Sequence, residues 1–179
     1  MRPRKAIGGV MMALGFVFAL AGVAAAQDVK VDYDHAVDFS KYKTFWIQIK
    51  TTWATPFAEK RALEEITKAL TAKGWKQGDE ATADAIVMIN GATETKRNAT
   101  TFYSGGGYRW GGGMGTATTS VSEFQVGSLI VDMFDAKTKE LFWRGVGVDE
   151  LSDKSDKNQK KIVNATQKMF KNFPPKPSK

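Results

Sequence analysis

The chain has 179 residues, of which 42% are hydrophobic, 25% charged and 11% aromatic, and it contains no cysteine. That make-up fits one ordinary globular domain and excludes collagen, a coiled coil and wholesale disorder. The missing thiols exclude a disulfide scaffold, a cysteine nucleophile, an iron–sulfur cluster and the cysteine-based zinc folds. The formal charge is +7, but three of the 26 basic residues lie within the first 26 positions; beyond them stand 23 basic and 19 acidic residues, or +4. Residues 152–179 alone carry +6, and 27–151 carry −2. The basic character therefore belongs to the C-terminal segment, where it fits either a solvated lysine-rich helix face or an anionic envelope component.

Residues 1–26 read as a secretory signal peptide. Arg2, Arg4 and Lys5 precede a charge-free apolar run from Ala6 to Leu20, and Ala24-Ala25-Ala26 offers a small-residue cleavage site with Gln27 as the new N-terminus. The apolar run, at about 15 residues, is short of the ~20 that span a bilayer. No other stretch is long and apolar enough to span, so the expectation is a periplasmic or secreted protein with no transmembrane span, for which nucleic acid is not an expected partner.

Val29, Val31 and Tyr33 alternate with Lys30, Asp32 and Asp34, the period of a half-buried strand. A polar turn is expected from His35 to Lys43, then a second strand on Phe45, Ile47 and Ile49 that makes a strand pair with the first. Thr55 is placed to cap a helix that begins with Pro56 and carries Glu59 in its first turn; Leu63, Ile66 and Leu70 follow at helical spacing until Gly74. Trp75 to Gly78 reads as a short strand or connector. Ala85 to Ile89 is apolar at every position, which predicts a strand covered on two sides, and the polar run Thr93 to Thr101 carries it outward. Past a glycine-rich stretch, Thr118 to Gln125 is β-prone and Leu129, Val131 and Met133 alternate again. Asp135 to Thr138 reads as a hairpin turn into a strand holding Leu141, Phe142, Trp143, Val146 and Val148. Ser152 or Ser155 is the expected cap of a last helix, striped by Ile162, Thr166, Met169 and Phe173 and ended by Pro174-Pro175. The expected fold is α+β: one mainly antiparallel sheet with two helices packed on one face, in a single domain over 27–173, followed by a flexible basic tail at 174–179.

Several motifs taken together resemble an uncharacterised family of bacterial cell-envelope proteins, a domain-of-unknown-function family whose members are often outer-membrane lipoproteins. They are Val31-Asp32-Tyr33-Asp34, the run Asp38-Phe39-Ser40-Lys41-Tyr42-Lys43-Thr44-Phe45-Trp46, Ala83-Asp84-Ala85, the glycine-aromatic loop, the Leu129-to-Asp135 strand and Leu141-Phe142-Trp143-Arg144-Gly145. The resemblance implies an exported α+β domain and supplies no activity. The chain departs from the lipoprotein pattern in one respect: Leu20-Ala21-Gly22 is followed by Val23, so there is no thiol to acylate and lipid anchoring is not expected.

Residues 104–115 hold seven glycines in twelve positions. A phosphate-binding loop needs Gly-Lys-Ser/Thr opening a helix, and here β-prone sequence follows instead. The loop serves either as a plain spacer between long strands or, through Tyr103, Tyr108, Arg109 and Trp110, as a contact site, because two-faced rings and guanidinium groups are enriched where proteins bind. His35 is the only histidine, so a histidine-based triad or general base must pass through it. Asp32, Asp34, His35 and Asp38 are close in sequence but lack the spacing of a calcium loop, and turn chemistry accounts for them. Glu64-Glu65 and Asp149-Glu150 are adjacent pairs that define no two-carboxylate site. Trp143 and Arg144 read as packing and edge pairing. Asn98-Ala99-Thr100 matches a glycosylation sequon and carries little weight in a bacterial setting. No metal or cofactor is expected. Three functions remain: a non-enzymatic envelope module that binds a protein partner, a lipid- or glycan-binding domain that uses the loop and the basic helix, and an uncharacterised enzyme.

Overall fold

The computed structural model describes residues 27–50, 53–104 and 116–175. Six strands, β1 (Asp28–Tyr33), β2 (Thr44–Ile49), β3 (Lys76–Gln77), β4 (Ala85–Ser104), β5 (Thr116–Asp135) and β6 (Leu141–Glu150), form one sheet in the order β1-β6-β5-β4-β2-β3. Helix α1 (Pro56–Ala72) leads from β2 to β3, and α2 (Ser155–Phe170) follows β6. The three pairings among β4, β5, β6 and β1 are antiparallel, whereas β2 runs parallel to both β3 and β4. The fold is thus α+β and mainly antiparallel, with its helices on one face.

Local signals set most element ends. The Thr55 hydroxyl accepts from the Ala58 amide at 3.2 Å, Pro56 takes the first helical position, and Gly74 at φ +88° lets the chain leave α1 in a conformation that a side chain resists. The Asp135 carboxylate accepts from the Lys137 and Thr138 amides at 2.8 and 2.9 Å and closes the β5–β6 turn.

Four expectations are corrected. The first two strands do not pair with each other: β1 joins β6 and β2 joins β4, because the crossover through α1 returns the chain beside β2 in parallel. The region between them is not wholly polar, since Phe39, which opens a one-turn 3-10 segment (Phe39–Lys41), and Tyr42, which follows it, are buried. Neither Ser152 nor Ser155 caps α2; Lys154 holds the cap position without a side-chain bond, while Asn158 clasps Ser152 through its amide and carbonyl at 2.8 and 2.7 Å. Finally, Ala85 to Ile89 has helices on one side only. Ile86, on the other face, is buried between its register partners Trp46 and Phe134.

The core lies between helices and sheet. Ala62, Ile66 and Leu70 recur every four residues on α1, and Ala165 and Met169 face it from α2, over Phe45, Val87, Ile89, Val131 and Met133. An aromatic cluster closes one end: Tyr42 stacks on Phe142 at 4.3 Å between centroids, and Trp143, Phe170 and Phe173 meet edge to face or tilted. A Cβ on Gly145 would stand 2.6 Å from the Trp143 ring, and one on Gly147 would stand 2.9 Å from Met169 Cε. Those two positions on β6 therefore stay bare so that α2 can lie close.

Candidate functional site

The β4–β5 hairpin outruns the sheet. β2 stops against Ile89 and β6 stops against Val126, yet β4 and β5 stay in register from Thr95 opposite Gln125 to Ser104 opposite Thr116. These ten rungs, about 30 Å at the usual strand rise, form a two-stranded arm. Its residues from Thr95 to Thr101 and from Thr119 to Glu123 are exposed, and cross-strand partners hold it: Arg97 Nε donates to Glu123 Oε1 at 2.6 Å, and the Thr101 and Thr119 hydroxyls meet at 3.1 Å. Beyond Gln125, whose carbonyl accepts from the Leu151 amide at 2.7 Å, neither outer edge of the arm is paired within the described residues, and Val121 is 60% exposed.

Of the predicted binding residues, Tyr103 is on this arm. The Tyr103 backbone pairs with Ala117 one rung short of the tip, while Tyr108, Arg109 and Trp110 lie in 105–115, outside the described residues. The sequence indicated the polar extension of β4 but split β5 into two pieces. Val126-Gly127-Ser128 interrupts the apolar alternation, although the backbone ladder runs through it without a break.

At the base of the arm, on the helix side, is a cavity of about 300 Å³. Both helices begin here, because α1 follows the end of β2 and α2 follows the end of β6. Trp53, Ala58, Leu129, Leu151, Ile162 and Ala165 supply its apolar wall. Glycines make the room: a Cβ on Gly91 would come within 2.6 Å of the Trp53 ring, and one on Gly127 within 2.6 Å of Leu151. The polar groups around it mostly satisfy one another. Lys161 Nζ pairs with Asp149 Oδ1 at 2.9 Å and also donates to the Glu150 carbonyl, Gln27 Nε2 donates to the Lys161 carbonyl at 2.8 Å, and Arg61 donates to Gln159 at 3.4 Å. Among the described residues Trp53 Nε1 is the exception, buried without an acceptor. Single-sequence reading missed this cavity, since glycines 36 and 20 residues apart meet only through strand pairing.

The polar residues singled out elsewhere have structural roles. Asp34 and Asp38 accept from the Ala36 and Ser40 amides at 2.8 and 2.9 Å, which is the expected turn chemistry, and the hydrogen bonds from Ser40 hold the Asp38 carboxyl below its ordinary range. His35 lies against the Tyr33 ring at 4.4 Å between centroids. Among the described residues no three His, Asp or Glu side chains are grouped to hold a metal ion. Trp143 is buried, and Arg144 forks onto Asp132 through Nε and Nη2 at 2.6 and 2.8 Å. Asp84 Oδ2 accepts from the Lys43 and Thr44 amides and the Thr44 hydroxyl, bonds that lower its pKa. Tyr42 donates to Asp135 at 3.1 Å, and burial first, then that carboxylate, pushes its hydroxyl up to about 12. A phenol so shifted is a donor rather than a nucleophile. Among the described residues no helix is long and apolar enough to cross a membrane.

Solved structures of two other proteins share this architecture. A PDZ domain protein from Parabacteroides distasonis is 18% identical, with a TM-score of 0.52 over 84% of this chain, which spans only 36% of that protein. A DUF4136 family protein from Bacteroides thetaiotaomicron is 16% identical, with a TM-score of 0.54 over 83% of this chain and 96% of its own. PelC from Paraburkholderia phytofirmans, solved as a dodecamer, is more distant, at 14% identity and a TM-score of 0.45 over 81% of this chain and 97% of its own. No curated protein is significantly similar to the chain. The family model described as "Domain of unknown function (DUF4136)" matches residues 29–175, nearly everything from β1 to the end of the described chain, and the protein therefore belongs to that family.

Proposed function

We propose that this protein is a non-enzymatic binding domain of the bacterial cell envelope, exported and cleaved after Ala26, that holds a protein partner by strand addition to the β4–β5 arm. The observation that carries this reading is the length of unpaired, exposed strand edge. An open edge offers a row of N–H and C=O groups for another chain to pair with, and proteins that avoid such pairing blunt their edges with charge or proline. Thr116 to Gln125 has a single charged residue, Glu123, and no proline. The tip sequence adds anchors of the kind that dominate contact energies, in Tyr103, Tyr108, Arg109 and Trp110.

The test is in-cell crosslinking of three proteins: the unaltered chain, a chain in which Asn-Gly replaces residues 96–124, and the triple change Tyr108→Ser, Arg109→Ser, Trp110→Ser. Loss of the crosslinked species in the first variant and weakening in the second is the expected result. An unchanged crosslinking pattern in both would overturn the reading. Export is checked separately by N-terminal sequencing of protein released by osmotic shock, which should begin at Gln27.

A further inference from the structure

We propose that the cavity under the arm is a binding site for an uncharged, mainly apolar small molecule carrying a hydrogen-bond acceptor such as a carbonyl oxygen. This reading is independent of the arm and its partner. Its volume of about 300 Å³ is at the lower end of the range in which small ligands are held. The wall chemistry selects the class. Trp53, Leu129, Leu151 and Ile162 present apolar surface; at the rim Lys161 is held by Asp149 and the Glu150 carbonyl, and the remaining charged lining residue, Asp153, is exposed. An anionic ligand would have to displace one of those bonds and a cation would find only the exposed Asp153, whose charge water screens, whereas a neutral ligand needs neither.

The acceptor requirement comes from Trp53. A buried indole N–H that lacks a partner costs about 1–3 kcal/mol, and indoles in protein interiors ordinarily find one. Here Nε1 is buried and unpaired while the ring lines the cavity and is seated on Gly91, where a side chain would collide with it. Nε1 is sealed from solvent in the unliganded chain, so a small shift of the ring over the bare Gly91 surface has to accompany binding, and a ligand oxygen then satisfies the donor.

The experiment titrates the full chain with prodan, a neutral naphthalene bearing one ketone, and reads the blue shift of its emission. Saturable one-to-one binding is expected. Ala58→Leu, in the first turn of α1 and outside the buried cluster, fills the cavity and should weaken binding at least tenfold. Trp53→Phe keeps the ring and removes the donor; it should weaken binding about three- to tenfold, and should leave the affinity for diphenylhexatriene, an apolar probe with no acceptor, unchanged. Far-ultraviolet circular dichroism and thermal melts confirm that each variant is folded. Absence of saturable prodan binding, or binding that a folded Ala58→Leu protein retains in full, would overturn the site. Equal losses of both probes in Trp53→Phe would overturn the acceptor assignment.

Discussion

Asp84 and Asp135 act as fasteners at the end of the sheet away from the arm. Asp84 ties the start of β4 to the start of β2 with three hydrogen bonds, and Asp135 joins the β5–β6 turn to Tyr42. Hydrogen bonds hold both carboxyls below the ordinary 3.8 in the folded chain, so the unfolded chain takes up protons first as pH falls. Their stabilisation is complete above about pH 5 and is lost as pH drops through the carboxylate range. Urea unfolding should therefore show a steep acid limb that Asp84→Asn with Asp135→Asn flattens, and Asp84→Ala should cost about 2 kcal/mol at neutral pH. Tyr42 has the opposite sign. Its hydroxyl is raised from 10.0 to about 12, so its contribution is complete below pH 10 and disappears between pH 10 and 12. Tyr42→Phe should remove that alkaline decline. Gly145→Ala forces a methyl against a Trp143 ring already wedged by Phe170 and Phe173; it should cost about 1–3 kcal/mol by overpacking, measured by the same unfolding curves.

At the scale of elements, the start of α1 was legible in sequence and the start of α2 was not, for one physical reason. Thr55-Pro56 with Glu59 is a complete cap within five residues, whereas Ser152 is turned to other work, its backbone clasped by Asn158 and its hydroxyl accepting from the Lys154 amide at 3.2 Å. The vacant cap at Lys154 has extended dihedrals, which a capping side chain accepts without strain. Lys154→Asp should therefore raise stability by about 1 kcal/mol, visible as a higher melting temperature. The arm is the converse case: two strands with no third layer are marginal in water. Hydrogen exchange should find the amides from Thr95 to Thr101 far less protected than those from Ala85 to Ile89, which lie under α1. The polar run Thr93 to Thr101 pointed to that arm in advance because a ribbon wetted on both faces needs no apolar residues.

For the whole molecule, a single helix layer on a single sheet makes the packing uneven. One face is sealed by α1 and α2, and the other presents Trp46, Met88, Ile130 and Val146 half-buried around the Asp132–Arg144 pair. Replacing residues 96–124 by Asn-Gly removes no residue of the buried cluster. The melting temperature of that shortened chain should accordingly stay within a few degrees of the parent, which separates loss of binding from loss of fold in the crosslinking test. From the sequence alone came the element types, the α+β class, the cap of α1, the turn residues and the family likeness, because periodicity and local turns are decided by neighbours within one or two turns of chain. Tertiary structure alone decided the strand order, the burial of Phe39, Tyr42 and Trp75, and the meeting of Gly91, Gly127 and Gly147 beside Trp53. Each of those depends on which distant segments pack together, and that is settled by the shared burial of side chains far apart in sequence.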